Sequence, residues 1–223
     1  MANWLEFWEN NEINWHSDVV TQELEEYLGL LKLEPGDKVF FPLCGKSLDM
    51  IYMLNQGFSV IGVELSEIGI EQFFHENGLD FTISSVGEFN LYSAKNIEIY
   101  CGDFFSLTSE HLCDVKAVFD RKSLIALDRN LRQKYVKHLN DIISLGVRVL
   151  LITLHYPQHQ MSGPPFSVDK SEVESLFSMA FKYQELKCFE DVENGSKLER
   201  AGVDYIENAA YCLQKVRESW QKK

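Results

Sequence analysis

The chain has 223 residues, 45% of them hydrophobic, and 34 acidic against 21 basic side chains give a formal net charge of −13. That length supports one substantial core, so a single domain over 1–223 is expected, and the charge argues against nucleic acid or an anionic membrane as partner. The N-terminus has no basic-then-apolar leader, no apolar run reaches bilayer length, and the five cysteines include no C-x-x-C pair; a reduced, cytoplasmic, metal-free monomer is the expectation.

In chain order, Trp4, Phe7, Trp8 and Trp15 open the sequence, followed by a helical pattern through Val19, Val20, Leu24, Tyr27, Leu28 and Leu31. Residues 1–33 read either as an amphipathic segment packed on the main domain or as an aromatic lid, with Trp4 and Trp8 four residues apart on one helix face. Lys38 to Glu67 then reads as strand, turn, helix and strand. The first strand, apolar through Val39, Phe40, Phe41 and Leu43, ends near Leu43, as a strand buried on both faces of a parallel sheet would. Cys44-Gly45-Lys46-Ser47 forms the turn, Ser47 is the expected N-cap, and Gly57 ends the helix. The next apolar run stops at Glu64, 19 residues after Gly45. An acid at that point accepts hydrogen bonds from ribose hydroxyls in nucleotide-binding α/β folds, while the glycine turn lets backbone approach the ligand.

The turn is not a dinucleotide fingerprint, because two further glycines are missing, and it is not a P-loop, because Phe40 stands where glycine is required. Without clustered donors for a pyrophosphate, the expected ligand is a nucleoside lacking phosphate, and S-adenosyl-L-methionine fits. Its sulfonium and adenine also suit aromatic faces in the N-terminal segment.

Ser66 caps the next predicted helix, through Ile70, Phe73 and Phe74 to Asn77-Gly78. Phe81–Tyr92, around Gly87, reads as a hairpin or an irregular insertion. A strand over Asn96–Cys101 leads into Gly102-Asp103-Phe104-Phe105, where Asp103 either binds the exocyclic amine of adenine beside Phe104 or caps a turn. Val115–Phe119 is a further strand ending in Asp120-Arg121, a ligand-facing acid–base pair or a local ion pair. Asp128 precedes a helix carrying Leu131, Tyr135, Leu139 and Ile142 and closed by Gly146. Val147–Leu154 is the most apolar strand, and His155-Tyr156 opens a loop rigidified by Gly163-Pro164-Pro165-Phe166. A helix over Glu172–Met179 and two strands, Phe181–Phe189 and Asp204–Val216, complete the chain.

Six blocks in order, FFPLCGKSLDM at 40–50, VIGVELSE at 60–67, GDFF at 102–105, FDRKSLIAL at 119–127, LLITL with Tyr156 at 150–156, and GPPFSV at 163–168, resemble the thiopurine S-methyltransferases, particularly their bacterial branch. The resemblance implies an α/β, Rossmann-like class I methyltransferase fold with a seven-stranded mixed sheet, helices on both faces and an N-terminal lid. It implies S-adenosyl-L-methionine as cofactor, contacted by Trp8, Leu43, Gly45, Glu64, Asp103, Phe104 and Arg121. Trp15-His16 matches the family's aromatic-His pair, so Trp15 would border the acceptor pocket, and Arg121 is the second residue expected on the substrate side. Asn14 stands where the family has glycine, and Lys187–Val203 departs from its pattern.

The implied reaction is in-line methyl transfer to a small thiol or selenol, which needs no catalytic triad or metal cluster, and no catalytic residue is assigned. Asp120 is a candidate for deprotonating the acceptor and Arg121 for favouring its anionic form, and the sequence assigns neither role. The alternatives are methylation of inorganic selenium or tellurium species or another small thiol, a non-catalytic S-adenosylmethionine-binding protein, and an oxidoreductase on the same fold, against which the missing glycines argue.

Overall fold

The computed structural model describes residues 3–190 and 197–218. The chain divides into two units, Met1–Phe119 and Asp120–Lys223.

The first unit contains α1 (Trp4–Glu9), α2 (Gln22–Tyr27), β1 (Lys38–Phe41), α3 (Leu48–Asn55), β2 (Ser59–Glu64), α4 (Glu67–Glu76), β3 (Thr82–Val86), β4 (Phe89–Ala94) and β5 (Ile97–Cys101); β6 (Val115–Arg121) begins in it and ends in the second. Its strands run in the order β3-β4-β5-β2-β1-β6. The strand β1 lies parallel to both β2 and β6, β2 is parallel to β5, and β3, β4 and β5 pair antiparallel. Sequence order therefore reverses at β1, and ligands of open α/β sheets collect beyond the carboxyl ends of strands at such a point. The turn at 42–47 stands there.

Local chemistry explains most element boundaries. Ser47 accepts from Asp49 N at the start of α3, and Ser66 accepts from Gly69 N at the start of α4, each at 3.2 Å. Such bonds satisfy N–H groups that have no partner inside the helix. The strand β1 stops at Phe41, short of the expected Leu43, because Pro42 has no ladder N–H and Leu43 has φ +46°. The expected helix from Val19 onward starts only at Gln22. Thr21 is held extended by Asp49, which accepts from Thr21 N at 2.7 Å and Thr21 Oγ1 at 2.9 Å, and Val19 is 70% exposed.

The second unit contains α5 (Ser123–Ala126), α6 (Arg129–Ile142), β7 (Arg148–His155), α7 (Lys170–Phe177), β8 (Phe181–Glu190), α8 (Lys197–Arg200) and β9 (Glu207–Lys215). Its strands run β7-β9-β8, all antiparallel. Asp128 caps α6, accepting from Asn130 N and Leu131 N at 3.0 Å. At the other end of α6, the buried Lys215 Nζ donates to Asn140 O and Ile143 O, both at 2.7 Å. Of the divergent stretch Lys187–Val203, residues 191–196 lie outside the described residues.

Among the described residues there are nine strands, not the expected seven. The additional pair is the hairpin β3–β4, which joins the first unit's sheet because β4 pairs with β5 from Asn90↔Cys101 to Ala94↔Ile97. No helix among the described residues is long and apolar enough to cross a membrane.

Candidate active site

Three turns at the carboxyl ends of β1, β2 and β5 are tied together by backbone bonds. Cys44 N donates to Val63 O at 3.0 Å, and Gly102 N donates to Glu64 O at 2.9 Å. The Glu64 carboxylate completes the cluster, accepting from Gly45 N at 2.8 Å and Ser66 N at 2.9 Å. Leu43, Gly45, Glu64 and Asp103 are thereby gathered at one end of the sheet. Glu64 is 8% exposed, and burial raises its carboxyl pKa while the N–H groups of Ser66 and Gly45 oppose the rise. Burial also pushes the neighbouring Cys44 thiol well up, helped by Glu64, so this cysteine is a protonated core residue.

The turn's backbone is special where it matters. Leu43, half-buried, takes a left-handed conformation at φ +46°, which is uncommon for a branched side chain and clusters at functional sites. Gly45 follows at φ +52°. Its N–H donates to Glu64, so this donor is spent inside the turn. Lys46 is equally unavailable: its ammonium lies 2.6 Å from Glu76 and is buried.

Trp8 lies over this turn. It is 3% exposed, and its Cζ2 is 3.6 Å from where a Cβ on Gly45 would be. Trp15 meets Trp8 edge-on at 5.8 Å and Trp4 at 5.2 Å, with Phe7 tilted at 6.0 Å. The aromatic N-terminus is thus one cluster, with Trp8 as its buried member. At the β5 end, Asp103 adopts the capping alternative, accepting from Phe105 N at 3.0 Å, while remaining exposed; Phe104 is buried and Phe105 is 38% exposed.

In the second unit, Asp120 does not face solvent. The strand β6 runs two residues beyond the expected Phe119, which places Asp120 in the strand at 0% exposure. Its carboxylate accepts from Tyr135 OH at 2.6 Å, and burial lifts its pKa to about 6 against the opposing hydrogen bonds of Tyr135 and Ser123. A core hydrogen bond is what this group makes, in place of the ligand-facing acid–base pair or local ion pair that the sequence offered. Arg121 closes β6 and is half-buried.

The sequence reading missed the fastening of the 163–168 loop. Arg132, 3% exposed, donates through Nε to Leu124 O and Leu127 O, both at 2.9 Å, and through a guanidinium nitrogen to Glu172 at 2.8 Å. Its guanidinium lies 5.9 Å from the Phe166 ring centre, and Phe166 N donates to Ile125 O at 2.6 Å. Gly69 in α4 was also missed. Its only signal was glycine inside a helix, where propensity favours most other residues.

The family profile of Thiopurine S-methyltransferase (TPMT) matches residues 1–216. A thiopurine S-methyltransferase of Nitrosospira multiformis is 40% identical over 210 residues, covering 94% of this chain and 96% of the relative. That of Bordetella petrii is 41% identical over 212 residues, covering 95% and 97%. Among solved structures, an S-adenosylmethionine-dependent methyltransferase from Anabaena variabilis superposes with a TM-score of 0.62 at 14% identity, covering 95% of this chain and 93% of that one. A geranyl diphosphate C-methyltransferase from Streptomyces coelicolor, solved with S-adenosyl-L-homocysteine, gives 0.60 at 12% identity, covering 86% and 77%. The chain therefore belongs to the thiopurine S-methyltransferase family, and its fold is that of the class I S-adenosylmethionine-dependent methyltransferases.

Proposed function

We propose that the protein transfers the methyl group of S-adenosyl-L-methionine to a small thiol or selenol. The observation that carries this reading is the Glu64 carboxylate at the end of β2, beside a glycine turn whose missing side chain leaves room for the Trp8 indole above it. Each of its oxygens accepts one backbone N–H. A carboxylate offers about four acceptor positions, so capacity for ribose hydroxyls remains, and the residues fit a nucleoside cofactor.

In this proposal Leu43, Gly45, Glu64, Asp103 and Phe104 hold the nucleoside, and Trp8 covers the Gly45 turn. Trp15 supports Trp8 edge-on and borders the acceptor. Arg121 is assigned to cofactor or acceptor by its family motif alone. The bound cofactor supplies a methyl group on a positively charged sulfur, an electrophile that needs no further activation. What remains for the chain is to orient an acceptor and exclude water, so no general base is assigned. Aromatic faces near a sulfonium add cation–π attraction.

One methyltransferase domain over 1–223 is part of the proposal, supported by the family match over 1–216. So is a reducing, cytoplasmic setting, since all five cysteines are free thiols. A panel of aryl thiols, aliphatic thiols, selenite, tellurite, a catechol and an amine, read by formation of S-adenosylhomocysteine, tests the reaction. Turnover on aryl thiols is expected. Turnover on the catechol or amine with none on any thiol or selenium species overturns the acceptor class.

A further inference from the structure

Gly69 occupies the first turn of α4, is buried, and has no unusual backbone angle that would call for glycine. Alanine is the better helix former there, so local propensity does not account for the residue. The long-range packing does. A Cβ on Gly69 would lie 2.8 Å from Trp8 Cζ2 and 3.0 Å from both Cε2 and Cη2. Those are atoms of a rigid ring system, and the indole cannot yield at one atom without moving as a whole. It also meets Trp15 edge-on at 5.8 Å, and its Cζ2 lies 3.6 Å from where a Cβ on Gly45 would be.

We propose that Gly69 is a positioning residue, whose missing side chain is the seat that fixes Trp8 over the Gly45 turn. Two glycines distant in sequence, one in the β1–α3 turn and one in α4, thus leave the space that the Trp8 indole fills, a slot for that side chain. Ser66 holds the Gly69 end of that slot, since its hydroxyl accepts from Gly69 N, and Glu64 holds both ends, accepting from Gly45 N and from Ser66 N. The slot and the carboxylate assigned to the ribose are therefore one hydrogen-bonded construction. Resting on the cofactor reading above, this makes the size of residue 69 a determinant of cofactor affinity, exerted through Trp8.

The test uses four full-length proteins: parent, Gly69→Ala, Trp8→Phe and the double variant. Phenylalanine has a single ring and lacks the distal edge of the indole that fills the seat, so the added methyl then has room. Titration calorimetry with S-adenosylhomocysteine and near-ultraviolet circular dichroism of the tryptophans are measured on each. Gly69→Ala in the parent background is expected to raise Kd about tenfold, the scale on which one extra methyl in a packed site is felt, and to change the tryptophan signal. In the Trp8→Phe background the same substitution is expected to change Kd less than about twofold, which is the coupling expected of residues in contact. Equal effects in both backgrounds, or an unchanged tryptophan signal in Gly69→Ala, overturn the proposal. A parent that fails to bind S-adenosylhomocysteine overturns the cofactor reading instead, and the seat is then judged by the tryptophan signal alone.

Discussion

Each oxygen of the Glu64 carboxylate accepts one backbone N–H, from Gly45 at 2.8 Å and from Ser66 at 2.9 Å, so this side chain holds the site together as well as offering it an acceptor. Glu64→Ala leaves two buried donors without partners, at about 1–3 kcal/mol each, and a loss of about 2–4 kcal/mol in urea denaturation is expected. Cofactor affinity should fall at least about tenfold in the same variant; lost stability with unchanged affinity would remove the ribose role and leave only the stitching. Asp120 gives a second prediction, with the sign set by burial. Its pKa in the fold is about 6 against an ordinary 3.8, so the folded state disfavours the ionised form. The stability it contributes is fully present below about pH 4 and is lost as pH rises through about 6, some 3 kcal/mol in all. Asp120→Asn has no proton to lose, so from pH 4 to pH 7 its stability should gain on the parent by about that amount. Parallel stability curves across this range would show that Asp120 does not titrate as a buried acid.

The helix α6 is finished at both ends by side chains, Asp128 at its start and Lys215 from β9 at its close. Lys215→Met keeps the buried stem and removes the ammonium, leaving two carbonyls unpaired; a loss of about 2–3 kcal/mol and a melting temperature lower by several degrees are expected. An unchanged melting temperature would mean that water replaces the ammonium. Elements like these mark the boundary of what the sequence makes legible. The caps Ser47, Ser66 and Asp128 were readable because donor and acceptor lie within one helical turn. The βαβ spacing placed Gly45 and Glu64 at neighbouring strand ends for the same local reason. Contacts between distant residues were not readable: nothing near Gly69 names Trp8, nothing near Thr21 names Asp49, and nothing near Arg132 names Glu172. The burial of Asp120 escaped because a strand's last residue is decided by its pairing, and the acid-base pair Asp120-Arg121 looks the same inside a strand or beyond it. Leu43 was read as strand, although Pro42 immediately before it ends the ladder.

At the scale of the whole molecule, a formal net charge of −13 sets a field that any charged ligand crosses. A cationic sulfonium ligand is attracted and an anionic acceptor is repelled, and both effects fade as the Debye length shrinks from about 30 Å at 0.01 M salt to about 8 Å at 0.15 M. Raising salt over that range should weaken cofactor affinity while increasing kcat/KM for a carboxylated aryl thiol, and should leave kcat/KM for a neutral one nearly unchanged. Equal salt responses of the two acceptors would show that local charges outweigh the net field. Chain connectivity also acts beyond any single contact. The N-terminal segment is pinned twice, by Trp8 in its slot and by Thr21 on Asp49, with residues 9–20 strung between. Departure of Trp8 therefore leaves it on a short leash, and its return is a unimolecular event at an effective concentration on the order of millimolar. Lengthening the leash should matter little, since each doubling adds only about 0.6 kcal/mol of closure entropy. Cutting the second pin acts in the same direction: without Asp49 the leash runs on past Thr21, and Trp8 finds its slot again against the same slowly growing closure entropy.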